Sequence, residues 1–368
     1  MKTKLFVAAI AALSVVACTS KKQAEEVEEQ TPAEALLTRI DTLRQHGYMY
    51  AHQDDPFYGI TWQWDRNGRS DTKELVGDYP AIFGFDLGGI EMGDSKNLDS
   101  VPFEWIREEA IRHFERGGIV TFSWHPRNPN NGGTAWVVNS QMLTDEEQNT
   151  VASILPGGEK HEKFQGWMNN VSDFLASIKT ADGKPVPFIF RPWHEYNGSW
   201  FWWGEAETTP EQYKGLWNML QDHVNSVLPT NVVWAFSPNL DGRWTEERFL
   251  EKYPGDDRVD LIGEDAYQWG TEEMFKLGTT ADLDFLNAFA QKVGKPLALT
   301  ECGYQNSPDP TWWTRVLKPI MDKYPISYFL PWRNWHAEHF GASKDACTAD
   351  DFKKLYEADN TLFLQDIQ

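Results

Sequence analysis

The chain has 368 residues, 41% of them hydrophobic, enough to bury one large core and ordinary for a single α/β barrel domain. A formal net charge of −21 excludes nucleic acid and anionic membrane surfaces as electrostatic partners, and no segment after residue 20 is long and apolar enough to span a bilayer. Aromatic residues make up 14% and include 18 Trp. A buried indole N–H needs a partner, so such a surplus points to flat platforms, on which the apolar faces of sugar rings stack, rather than to a routine core.

The first elements concern export. Lys2 and Lys4 precede an apolar run from Leu5 to Val16, signal-peptide length and too short to cross a membrane. It ends in Val15-Val16-Ala17-Cys18, which resembles a bacterial lipobox, so Cys18 is expected to be acylated. Ordinary signal-peptide cleavage nearby is the alternative. Thr19 to Thr31 is polar and Glu-rich and reads as a disordered tether. The expected organisation is a signal peptide over 1–18, a tether over 19–32 and one folded domain over 33–368. Cys302 and Cys347 are permitted a disulfide in an oxidising compartment, and the sequence leaves open whether they meet.

A helix is expected over 33–45. From there short β-rich runs alternate with helical ones: Tyr48 to His52, Ala81 to Leu87, Gly118 to Trp124, Pro187 to Pro192, Val232 to Ser237, Val259 to Asp265, Pro296 to Glu301, and Ile326 to Trp332. Several are wholly apolar in the middle, as parallel strands covered on both faces are. Between them, Phe103 to Arg116 carries an apolar stripe. Pro210 to Val227 begins with a Thr209-Pro210 cap, and Leu283 to Val293 and Trp312 to Lys323 read as helices. The longest gap, about 125 to 186, holds a polar Asn130-to-Trp136 stretch expected to be a long loop on the active-site face. Eight β/α units without a Gly-rich phosphate loop predict a single (β/α)8 barrel with long active-site loops.

In such barrels the chemistry sits at the C-terminal ends of the strands. Glu195 and Glu301 follow the fourth and seventh strands, on opposite sides of the barrel. That is the placement glycoside hydrolysis needs: one carboxylic acid for the leaving oxygen and one carboxylate on the other face of the sugar, roughly 5–5.5 Å apart if configuration is retained. Arg191 reaches the cleft floor, Tyr267 is placed to hydrogen-bond the nucleophile, and His125 and His194 suit sugar hydroxyls. Trp200, Trp202, Trp203 and Trp332 are candidate stacking surfaces. Asp86, beside Gly88-Gly89, reads equally as a turn former, and Glu264-Asp265 as a structural pair. No metal-ligand spacing and no cofactor motif is present. His336 and His339 lack further ligands beside them, and only His52, His125 and His194 are placed for a metal-dependent barrel hydrolase.

The run Phe190-Arg191-Pro192-Trp193-His194-Glu195-Tyr196-Asn197-Gly198, with Trp200 and Trp203, resembles the acid/base signature of glycoside hydrolase family 26. So do Gly77-Asp78-Tyr79-Pro80 leading into Phe85-Asp86-Leu87, Trp124-His125, Thr300-Glu301 and Trp332-Arg333-Asn334. The resemblance covers about residues 46 to 365. It implies a retaining β-mannanase acting on mannan, galactomannan or manno-oligosaccharides, with Glu195 as acid/base and Glu301 as nucleophile. It further implies Arg191, His194, His125, Trp200, Tyr267 and Trp332 around the cleaved bond, and Arg333 on the next sugar towards the non-reducing end. A β-1,3-xylanase or a mixed-linkage β-glucanase on the same barrel stays open, and so does a glycan-binding lipoprotein without activity. Chains of this type resemble Bacteroidota lipoproteins, some releasing mannobiose and some acting within the chain. Thr-Ser-Lys-Lys after Cys18 lacks an acidic run, which implies a periplasm-facing protein, with the cell surface as alternative. Oligomeric state is not legible.

Overall fold

The computed structural model describes residues 30–137, 149–336 and 338–368. The signal segment, Cys18 and the tether up to residue 29 lie outside the described residues. Eight parallel strands form the frame: β1 (Tyr48–Gln53), β2 (Ile82–Asp86), β3 (Ile119–Trp124), β4 (Phe188–Pro192), β5 (Val232–Phe236), β6 (Leu261–Tyr267), β7 (Leu297–Gly303) and β8 (Ile326–Pro331). Each pairs with the next, and β8 closes onto β1 through Met49 opposite Tyr328. The expected (β/α)8 barrel is borne out.

Alternation along the strands builds two cores. Met49 and Ala51 of β1, Ile82, Ile119, Ile189, Val233, Leu261, Ala298 and Tyr328 pack in the barrel interior. Their neighbours Tyr48, Tyr50, Phe83, Phe122, Phe188, Phe190 and Leu299 face the helices. Both layers are buried, which is why these strands read as continuous apolar runs. The N-terminal mouth is stoppered by a helix over Pro32–Leu43, whose Leu36 and Ile40 join the inner core. Thr31 caps it in a capping box with Glu34 and Pro32 starts it. Burial of each such side chain contributes about 1.5–3 kcal/mol.

The outer helices follow local signals. The helix Pro210–Val227 has the bounds expected of it, set by Thr209, Pro210 and a capping box with Gln212. The expected Leu283–Val293 helix starts a full three turns earlier, at Glu272, because Thr271 caps it. The expected Trp312-to-Lys323 helix is instead a wide π-helical turn over Trp313–Leu317 followed by one α turn over Lys318–Met321. Pro319 has no N–H for the carbonyl four residues back, so the chain widens there. The 125-to-186 gap is not all loop: Thr150–Ile154 and His161–Ala176 are helices. The second buries Phe164, Trp167, Met168, Val171 and Leu175 on one stripe. Residues 138–148 lie outside the described residues.

Candidate active site

The C-terminal mouth of the barrel gathers the titratable groups. Arg191, near the end of β4, is buried and lies between two carboxylates. Its Nη1 donates to Asp265 Oδ2 at 2.7 Å, and its Nη2 donates to Glu301 Oε1. Tyr267 Oη donates to the other oxygen, Glu301 Oε2, at 2.6 Å. Both oxygens of Glu301 are thus fixed by donors on different strands, one of them charged.

Glu301 points there because of a one-residue slip. The pairing of β6 with β7 runs Glu264 opposite Leu299 and then Asp265 opposite Glu301, leaving Thr300 extra. Thr300 and Glu301 therefore both reach the mouth, Thr300 Oγ1 donating to Asp265 Oδ1 at 2.8 Å. Bulges re-aim side chains in this way beside reactive centres. The slip also turns Cys302 outward into the helix-facing core, fully buried. Cys302 and Cys347 are both free thiols, so the permitted disulfide is not formed.

Glu195 sits on the turn after β4. Trp193 and Glu195 both adopt left-handed backbone, with φ of 55° and 53°. Non-glycine residues hold such angles only where the surroundings over-determine them. Here Tyr213 Oη bonds Trp193 O at 2.8 Å, Trp203 Nε1 bonds His194 O at 2.8 Å, and Glu195 N bonds Ser237 O at 2.8 Å. Trp200 folds back so that its Nε1 donates to Glu195 Oε2 at 2.6 Å. Gly198 permits this: a Cβ there would stand 2.4 Å from the Trp200 ring.

The electrostatics separate the groups. Burial first, then the charges of Asp265 and Glu301, push the Glu195 carboxyl well above the ordinary range; the Trp200 bond and Arg191 oppose this only in part. Burial and the charge of Glu301 also raise Asp265, to about 7, against the pull of Arg191. Burial works against an imidazolium at His125, but the charge and the 2.6 Å bond of Asp86 outweigh it and raise His125. His194 is driven well below its usual value by burial, Arg191 and His125. The pair meets at 3.0 Å, Nε2 to Nε2, and the opposite shifts favour the proton on His125 over His194.

The remaining expected residues divide. Trp332 lies beside His125, ring centroids 5.9 Å apart. Arg333 stands away from the carboxylates and pairs with Asp99 at 3.0 Å. Trp203 is fully buried under Phe201 and offers no face to a ligand; so is Trp202. Both anchor the β4 turn rather than forming platforms, since Phe201, Trp202 and Trp203 are all buried in the core and only Trp200 turns towards Glu195. Asp86 is a partner of His125 as well as a turn former, its Oδ1 accepting from Gly88 N. Glu264 and Asp265 do not form a pair with each other: Asp265 faces the mouth, while Glu264 faces the helix Glu272–Val293 and meets Asp282. Trp136, assigned in sequence only to a loop, stacks on His125 at 5.3 Å and 9°. An alternation count along β6, placing Asp265 on the same face as Leu261, was the signal that would have found Asp265.

His194, Asp265 and Glu301 each bring a potential ligand atom within 4.8 Å of one another. Arg191 already donates to two of the three, which balances the charge that would draw a cation there. What the cluster offers without one is a carboxyl pushed towards its acid form, Glu195, and a second, Glu301, oriented by a donor on each oxygen, in one buried mouth.

Comparison with known proteins agrees with this geometry. The family model for glycosyl hydrolase family 26 matches residues 26–362. A mannan endo-1,4-beta-mannosidase of Bifidobacterium adolescentis is 28% identical over 80% of this chain, which spans only 31% of that longer protein. A mannan endo-1,4-beta-mannosidase of Bacillus subtilis is 25% identical over 72% of this chain and 69% of its own length. The structure of a GH26 beta-mannanase from Bacteroides ovatus superposes with a TM-score of 0.87 at 41% identity, covering 92% of this chain and 96% of that one. The chain belongs to glycosyl hydrolase family 26.

Proposed function

We propose that the protein hydrolyses β-1,4-mannosidic bonds in mannan, galactomannan and manno-oligosaccharides by double displacement with retention. Glu301 is the nucleophile and Glu195 the acid/base. The observation that carries this reading is the unequal treatment of the two glutamates in one mouth: burial and neighbouring charge favour the acid form of Glu195, while Arg191 and Tyr267 fix both oxygens of Glu301.

In the first step Glu301 attacks the anomeric carbon as Glu195 gives its proton to the departing oxygen. The glycosyl–enzyme ester forms as the glycosidic bond breaks. In the second, Glu195 takes a proton from water, which displaces Glu301 and restores both groups. Arg191, Tyr267 and Trp200 keep the reacting atoms in place, which supplies much of the rate. His125 and His194 serve sugar hydroxyls, and Trp200 and Trp332 flank the sugar at the cleaved bond. Arg333, held by Asp99, binds the next sugar on the non-reducing side. The mannan assignment rests on the relatives, and their printed activity concerns those proteins.

The test is the time course of products from mannohexaose and galactomannan. Mannobiose alone from the start marks release from a chain end; mixed oligosaccharides first mark cleavage within the chain. The long β3–β4 connection favours the former. Cleavage of mixed-linkage glucan or β-1,3-xylan with both mannans untouched contradicts the sugar assignment. We further propose a lipid anchor at Cys18 on the periplasmic side, supported by the Val-Val-Ala-Cys run. Release of a Cys18→Ser variant from the membrane fraction is the expected outcome, and unchanged retention contradicts it.

A further inference from the structure

Most of the tryptophans are accounted for by the core or the cleaved bond, and one is not. Among the described residues two Trp are exposed, Trp136 and Trp269, and Trp269 is 67% exposed. Leaving an indole in water forgoes the burial that normally justifies it. Both exposed rings share a second property. Trp136 lies flat on His125, and Trp269 lies flat on Tyr267, centroids 5.5 Å apart at 23°. Each therefore has one face on an aromatic ring of the active site and the other towards solvent.

The position of Trp269 is built rather than incidental. Phe340 meets the edges of both Tyr267 and Trp269, at 5.4 Å and 6.1 Å. The preceding residue, Gln268, is buried. Its backbone N–H bonds Gly303 O at 2.8 Å, and its Oε1 accepts from Trp312 Nε1 at 2.8 Å. Two residues later Thr271 caps the helix Glu272–Val293. The loop is pinned on both sides of an exposed ring, so the platform costs little ordering when a ligand arrives.

We propose that Trp269 is a sugar-stacking platform for a unit of the polysaccharide beyond those held at the cleaved bond. It would take the apolar face of a β-linked hexopyranose. This rests on the function proposed above and adds a determinant of chain-length preference. Tyr267 donates to Glu301 and Trp269 stacks on Tyr267, so Trp269 stands one ring out from the direct partner of Glu301.

The experiment compares the unaltered enzyme with Trp269→Ala and Trp269→Phe on mannotriose and mannohexaose, with a pH profile for each. The expected result is a loss of about tenfold in kcat/KM on mannohexaose for the Ala variant, the energy of one stacked face. Mannotriose turnover and the pH profile should stay near those of the unaltered enzyme, and the Phe variant should regain most of the loss. Equal losses on both substrates, or a shifted pH profile, would show that Trp269 merely props Tyr267 and would overturn the proposal. So would no loss on either. Failure of the unaltered enzyme to cut mannohexaose contradicts the mannan reading itself, and the proposal with it.

Discussion

In the proposed mechanism Glu195 holds a proton until a sugar arrives, and burial with the charges of Asp265 and Glu301 favours that form. The sign of the pH dependence follows. The acid form is present below the raised value and lost as pH climbs through it, so kcat/KM falls on the alkaline side. Glu195→Gln should abolish that fall together with most activity on polysaccharide, about 10²–10⁴-fold. Activity on an aryl glycoside with a good leaving group should suffer far less in its first step, because no proton is needed there. Glu301→Ala should stop turnover of both substrates. Equal loss on both for Glu195→Gln would argue against its acid role. Arg191 gives a second test at this scale. Its removal leaves Asp265 and Glu301 buried without their shared counter-charge, at a cost of about 3–5 kcal/mol of stability. A thermal or urea melt of Arg191→Ala near that of the unaltered protein would contradict this. Much of this layer was legible: Glu195, Glu301, Arg191 and Tyr267 stand at strand ends where barrel chemistry collects. Trp203 was not, because Trp200, Trp202 and Trp203 look alike in sequence and only the strained turn decides which ring meets the cleft.

Elements show what local patterns carry and where they fail. The helix Pro210–Val227 follows from its cap and its apolar spacing alone, and Pro319 carried a readable warning that the Trp312 helix would deform. The His161–Ala176 helix also had its stripe written in Phe164, Trp167, Val171 and Leu175, hidden inside a gap that looked like loop. The bulge at Thr300 had no such mark, since a slip of one residue is settled by pairing with β6. A pH-dependent contact joins β6 to its helix. Glu264 and Asp282 are both buried and close enough to act on each other's titration, and Asp282 Oδ2 accepts from Asp241 N at 2.6 Å and Gly242 N at 2.8 Å. Burial chiefly, then the charges of Asp282 and Asp265 on Glu264 and of Asp241 on Asp282, raises both acids. Tyr324 also faces Glu264, and Asp241 is already paired with Arg248 at 2.8 Å. A carboxyl raised in the folded state stabilises it below the unfolded value and loses that contribution as pH rises through the folded one. Melting temperature should therefore decline towards alkaline pH, and Glu264→Gln, which keeps the size of the side chain and removes its titration, should flatten the decline. An unchanged slope in that variant would rule the pair out as its source.

At the scale of the whole molecule, the barrel was readable because eight β/α units in order leave few alternatives, and closure of β8 onto β1 follows from that count. The helical stopper over Pro32–Leu43 was foreseen as a helix but not as a plug, since nothing local says which end of a barrel a preceding helix covers. Arg191 supplies the positive charge at the centre, so activity on mannan should be unchanged after dialysis against a chelator; loss restored by a divalent cation would contradict that. The most direct measurement is proton NMR of mannohexaose cleavage in its first minutes, before mutarotation. The expected result is new reducing ends appearing first as the β-anomer, from two displacements at one carbon through Glu301. First appearance of the α-anomer would mean a single displacement by water, and would contradict the roles assigned to both glutamates.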